Sequence, residues 1–223
     1  MSSGVFYAYV HNIRNDDDWR VVITFASRAV SDEWWRAISG IGYNIKRITP
    51  QFYTHDPSRA NVQNFFIDAP FKSIAEQFRG RMFTTGQKNR GGTGMDMIPP
   101  RSICDHISGN WFFIRSKGDQ NLYWFHDPSS GHIRASHTER THFQITANNM
   151  PLGTVMIGAD PITVHIDGEH VVYVDDDSAH LVIAKQKYDF NFASLHSRVL
   201  VSTGGAMTYT NKVDTSNELW ELV

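Results

Sequence analysis

The chain has 223 residues, 41% of them hydrophobic and 13% aromatic, enough apolar material to build a core and too much for a disordered chain. That length is generous for one domain and comfortable for two. A net charge of −2 gives no general electrostatic attraction to nucleic acid or to anionic lipid, so neither is expected as a partner.

In chain order, Val5–Val10 and Arg20–Phe25 are rich in aromatic and β-branched residues and predict strands. Ser31-Asp32-Glu33 reads as a helix start, with Ser31 as N-cap and Trp34, Ile38 and Ile41 following at helical spacing until Gly40 and Gly42. Ile45–Tyr53 and Asn64–Ile67 read as further strands. Pro70 opens a second helix, in which Phe71, Ile74, Ala75, Phe78 and Met82 form one apolar stripe. Residues 1–84 are therefore expected to be an α+β domain. The stretch Thr84–Pro100, with four glycines and a Pro-Pro pair, reads as a linker, drawn over residues 85–104. Its Arg90-Gly91-Gly92 resembles one copy of an RNA-binding Gly/Arg segment, but no neighbouring copies accompany it.

From residue 105 the character changes to short strands and turns. Gly109–Ile114, Gly153–Ile157 and Ser197–Val201 share a turn residue followed by apolar alternation, which spaces Trp111, Val155 and Val199 by 44 and 44 residues. Ser130-Gly131-His132-Ile133 matches Ser178-Ala179-His180-Leu181 at an offset of 48. Each unit closes on an aromatic-x-apolar triplet: Phe143–Ile145, Phe190–Phe192 and Trp220–Leu222. The third unit is short, with Asn211–Asn217 in place of a longer middle. Units of this length cannot bury an apolar face alone and must associate; three of them are expected to close about a pseudo-threefold axis.

In these spacings and closing triplets, residues 105–223 resemble the β-trefoil family, and loosely the β-trefoil lectins of mushroom fruiting bodies. The fold expected for the chain is mainly β, with an α+β N-terminal part and a C-terminal β-trefoil-like threefold repeat. What the resemblance implies is a non-enzymatic, lectin-like protein with a glycan ligand and no cofactor. The ricin-type members close each unit with Gln-x-Trp, and none of the three triplets here keeps both residues.

A saccharide site needs an aromatic face for ring C–H groups and planar polar side chains for hydroxyls. Tyr123–His132 offers both, and strand alternation puts Tyr123 and Phe125 on one face, Trp124 and His126 on the other. The expected ligand-binding residues are Trp124, His126, Asp127, His132 and Arg134, with Asp175 and His180 at the matching turn. The competing reading is that the aromatic side chains pack and Asp127–Gly131 is simply a turn.

Other constellations carry less. Asp175-Asp176-Asp177 and Asp16-Asp17-Asp18 lack the alternate spacing, glycine and distal glutamate of a calcium loop. Nine of eleven histidines follow residue 100, but without zinc-ligand spacing, so no metal is expected. Cys104-Asp105-His106 places a thiol two residues from an imidazole without the features of a nucleophile turn. The single cysteine excludes an intramolecular disulfide. With no signal-like N-terminus and no spanning apolar run, the expectation is a cytoplasmic protein, or one exported without a signal peptide. Two alternatives stay open: a protease inhibitor presenting Thr84–Pro100 or Asn148–Pro161, and an enzyme with its site near His11, His55, Asp56 or Cys104. The oligomeric state is not legible in the sequence.

Overall fold

The computed structural model describes residues 4–14, 20–87, 103–202, 204–210 and 219–223. Asp16–Asp18, most of the glycine-rich stretch and Asn211–Asn217 lie outside these. The protein is mainly β and divides into two units, Ser2–Asp105 and His106–Val223.

In the first unit β1 (Phe6–Asn12) and β2 (Arg20–Phe25) form an antiparallel pair, from Phe6 opposite Phe25 to Val10 opposite Val21. The chain crosses through α1 (Arg28–Ser39) and β3 (Ile45–Thr49), so that β4 (Phe52–His55) lies parallel to β1 on its other side. Such a parallel return requires a crossover of this kind. With β5 (Met82–Gln87) against β2, the sheet order is β3-β4-β1-β2-β5. Alternation turns Ala8, Val10, Ile23 and Phe25 into a core shared with Val30, Trp34 and Ile38 of α1. Trp34 is fully buried and meets the rings of Phe25, Tyr53 and Phe65 at 5.5, 5.5 and 6.1 Å.

Several sequence expectations are corrected here. The helix begins three residues earlier than Ser31: Ser27 is the N-cap, its side chain accepting the Val30 amide at 3.3 Å, and Ser31 is buried inside the helix. Ile45–Tyr53 is two strands, since Pro50-Gln51 turns the chain back between β3 and β4. The stretch Asn64–Ile67 is the end of a 3-10 segment and the turn after it, because Phe65 is fully buried with Phe66 packed against the same core, so burial does not alternate. The helix at Pro70 is a 3-10 turn, the short α2 (Lys72–Ala75) and another 3-10 turn. Phe71, Ala75 and Phe78 are buried as the stripe requires, but Met82 enters the core from β5, after Gly80 turns the chain at φ +75°. Residues 85–87, read as linker, belong to β5.

A buried charge network ties the end of this unit to its core. Arg47 Nη2 bonds Asp32 at 2.8 Å and Asp105 at 2.6 Å, while its Nη1 donates to the Tyr53 hydroxyl at 3.1 Å. Arg28 adds bonds to Asp32 and to the Cys104 carbonyl.

The second unit is built on a ten-stranded sheet. Its strands are β6 (Trp111–Phe112), β7 (Ile114–Ser116), β8 (Tyr123–Asp127), β9 (His132–Ser136), β10 (Phe143–Ala147), β11 (Pro161–His165), β12 (Val171–Val174), β13 (Leu181–Ala184), β14 (Phe190–Asn191) and, after helix α3 (Phe192–Ser197) and the separate pair β15 (Val199–Val201) and β16 (Met207–Tyr209), β17 (Trp220–Leu222). The path runs β17-β7-β8-β9-β13-β12-β11-β10-β6, with β14 on β11. Because β6 and β7 are separated only by Phe113, the sheet nearly closes into a barrel. Alternation buries Phe143, Ile145 and Ala147 on β10, and fully buried Trp124 on β8 lies edge-on to Trp220 at 5.9 Å.

The 44-residue register does not map onto equivalent strands. Trp111 pairs within β6 and Val199 within β15, but Val155 lies outside the named strands, in a bridge to Ile107, and the next strand starts at Pro161. The triplet Phe190–Phe192 also splits: Asn191 caps α3, its side chain accepting the Ala193 amide. The 48-residue match is structural, since both turns connect antiparallel hairpins, β8–β9 and β12–β13.

Candidate functional site

The site is built on the β8–β9 hairpin. Its turn, Pro128–Gly131, follows from local chemistry: Asp127 Oδ1 accepts the Ser129 amide at 3.0 Å and the Ser129 hydroxyl at 2.6 Å, Oδ2 accepts the Ser130 hydroxyl at 2.8 Å, and Gly131 takes φ +70°. The turn fixes Asp127 opposite His132, and hence Phe125 opposite Arg134 and Tyr123 opposite Ser136. Cross-strand partners project to the same side, so Phe125, Asp127, Arg134 and Ser136 share one face. The opposite face carries Trp124 and Ile133, both fully buried.

On the outer face is a surface cavity of about 540 Å³ lined by Phe125, Asp127, Pro128, Ser129, Arg134, Ala135, Ser136 and Glu139. It brings together an aromatic ring, a guanidinium, two carboxylates and serine hydroxyls. The Ser129 and Ser130 hydroxyls, with the Ser129 amide, draw the Asp127 carboxyl down to about 2, so it is ionised at neutral pH. Its oxygens are occupied by the turn, and Arg134 Nε stands 3.7 Å away, outside hydrogen-bond range. The guanidinium, with 45% of the side chain exposed, is therefore available to a ligand.

Of the residues singled out from sequence, Asp127 and Arg134 lie in this cavity. Trp124 does not: it is a core residue, packed at 6.0 Å against Phe143, and has no exposed face for a ligand. His126 shares the Trp124 face and is half-buried; its amide donates to Thr141 Oγ1, and burial lowers its imidazole below the ordinary value. His132 and His180 meet at the junction of the two hairpins, their rings 5.8 Å apart. Asp175 repeats the role of Asp127, accepting the Ser178 amide at 2.9 Å and hydroxyl at 2.6 Å, and these bonds hold it below the usual carboxylate range. Ser136 and Glu139 were not singled out from sequence, and Phe125 was named only as part of one of the two alternating strand faces. The length of the Pro128–Gly131 turn carried the signal, since it sets Phe125 opposite Arg134.

The remaining candidates have structural employment. Asp56 accepts two bonds from Arg14 and one from the Ser58 hydroxyl, which hold its carboxyl far below the usual range. His55 is fully buried and accepts the Val62 amide at Nδ1. Burial pushes the Cys104 thiol up, which keeps it protonated, and no strand runs through Cys104 and His106. Among the described residues no group of three or more His, Cys, Asp or Glu is placed to hold a metal ion, and no helix is long and apolar enough to cross a membrane.

No protein-family model, curated protein or solved structure matches the chain.

Proposed function

We propose that the unit His106–Val223 is a β-trefoil-like module that binds carbohydrate without transforming it, and that the cavity on the β8–β9 hairpin is its site. The observation that carries this reading is the meeting of Phe125, Arg134, Asp127 and Glu139 in one cavity of about 540 Å³. An aromatic ring offers its face to sugar C–H groups, while the Arg134 guanidinium and the exposed Glu139 carboxylate can make in-plane bonds to hydroxyl pairs.

The trefoil part of the proposal is supported by a ring of pairings. Hairpin β8–β9 meets β12–β13 at His132 and Val182, β12–β13 meets β15–β16 at His180 and Thr208, and β15–β16 returns to β8–β9 at Ala206 and Arg134. Three hairpins joined pairwise in this manner suit a closed, three-part arrangement.

The test is a glycan-array screen of the intact chain, followed by calorimetric titration of each hit. Binding that weakens at least about tenfold in Arg134→Ala and in Phe125→Ala, with the fold retained, is the expected result. A folded protein that captures no saccharide would overturn the proposal.

A further inference from the structure

We propose a second saccharide site of different chemistry on the outer face of the β12–β13 hairpin, formed by Tyr173, Asp176, Gln186, Tyr188 and Tyr209 and selective for uncharged sugars. The proposal rests on the carbohydrate reading above and extends it to a patch outside the first cavity.

The two hairpins correspond position by position. Tyr173 stands two residues before Asp175 as Phe125 stands two before Asp127, and both aspartates hold a serine hydroxyl at 2.6 Å. Tyr173 faces Val182 across its hairpin as Phe125 faces Arg134. The outward aromatic position is thus kept in both, while the cation of the first site is replaced by an apolar side chain.

Around Tyr173 the aromatic surface is larger than at the first site. Tyr188 packs at 4.7 Å on Phe190, which is buried, and meets Tyr173 at 5.8 Å and Tyr209 at 6.0 Å, both edge-on. All three tyrosines stay half-exposed. Three rings fixed on a buried fourth lose little conformational freedom on binding, and their apolar faces and hydroxyl rims suit a molecule that is itself amphipathic. The planar polar groups are present too. Tyr173 donates its hydroxyl to Asp176 Oδ2 at 2.9 Å, Gln186 Nε2 reaches the same hydroxyl at 3.4 Å, and both Asp176 and Gln186 are exposed.

Charge selects the class of sugar. Asp175, Asp176 and Asp177 are consecutive at the rim, and Val182 occupies the place of Arg134. A carboxylate-bearing sugar meets the repulsion of three carboxylates there, against which Arg198, acting on Tyr188, supplies one cation, whereas a neutral hexose can donate its hydroxyls to Asp176 and Gln186.

The experiment is an amide-resolved NMR titration of the full chain with glucose, galactose, mannose, N-acetylglucosamine and glucuronate, on wild type, Arg134→Ala, Tyr173→Ala and Gln186→Ala. Saturable shifts at Tyr173, Gln186 and Tyr188 with a neutral sugar are expected in wild type and unchanged in Arg134→Ala. Tyr173→Ala and Gln186→Ala should each weaken them several-fold while leaving the signals of Phe125 to Glu139 unmoved. Shifts confined to Phe125–Glu139 would overturn the second site and leave the first standing; shifts confined to the tyrosines would do the reverse. Glucuronate binding the tyrosine patch as tightly as glucose would overturn the selectivity, and no shift with any sugar would overturn both sites.

Discussion

Phe125 and Arg134 are direct partners across the β8–β9 ladder, and both line the same surface cavity. Their neighbours Trp124 and Ile133 face the opposite way and are fully buried. One residue of register therefore separates a cavity-facing side chain from a core one, and the two should respond differently to truncation.

Trp124→Ala is expected to cost roughly 3–5 kcal/mol of stability, the penalty for removing a large buried ring and leaving a void. Phe125→Ala, at a half-exposed position, should change the melting temperature little and reduce saccharide binding. Chemical denaturation beside glycan titration of the two variants separates these roles; a Trp124→Ala protein as stable as wild type would contradict the core assignment.

Acid should weaken the second unit through its turns. Asp127 is drawn down to about 2 by the hydroxyls of Ser129 and Ser130, and Asp167 to about 2 by the Glu169 amide, with the His170 ring and amide adding to it. An unfolded aspartate titrates near about 3.9. Since the folded value is the lower, the stabilisation is fully present above about pH 4 and is lost as pH falls toward about 2. Melting temperature measured across that window should fall, and the slope should be shallower in Asp127→Asn.

In the first unit Arg47→Ala would leave Asp32, with 4% of its side chain exposed, without its buried guanidinium partner. Although burial opposes its charge, the Tyr53, Asp32 and Asp105 side chains raise the Arg47 pKa above the usual arginine value, so the network is ionic. Removing one member of a buried pair costs roughly 3–5 kcal/mol, and because Arg28 still bonds Asp32 at 3.1 Å the loss should lie at or below the lower end of that range. Arg47→Met together with Asp32→Leu should recover part of that loss; equal stabilities for the single and double variants would contradict the account.

Ser27→Ala should lower stability by about 1 kcal/mol through loss of the bond to the Val30 amide, and Ser27→Asp should restore it. Urea unfolding followed by tryptophan emission reports this, because Trp34 lies on the same helix.

What the sequence made legible follows from how locally each feature is encoded. Arg20–Phe25 is legible as a strand because its β-branched and aromatic residues lie together within six positions, and those bounds are the ones observed. Phe65 lies in an apolar run that has the look of a strand, yet its partners Trp34, Phe71 and Phe78 come from elsewhere in the chain and hold it in a turn. At the site, the aspartate-led turn was readable and drew attention to Asp127 and Arg134. Which face of β8 would be buried was not, because the choice between Trp124 and Phe125 depends on Trp220, 96 residues further along the chain.

Phe113, between β6 and β7, exchanges both of its backbone bonds with Val223, at 2.9 and 3.0 Å. During synthesis this means that the near-closed sheet of the second unit stays open along one seam until Trp220–Val223 have left the ribosome. Hairpins β8–β9 and β12–β13 can zip locally much earlier, but β7 must wait about a hundred residues for its last neighbour. Closure is thus a late, long-range step, the kind that slows folding and leaves strand edges exposed to other chains in the interval.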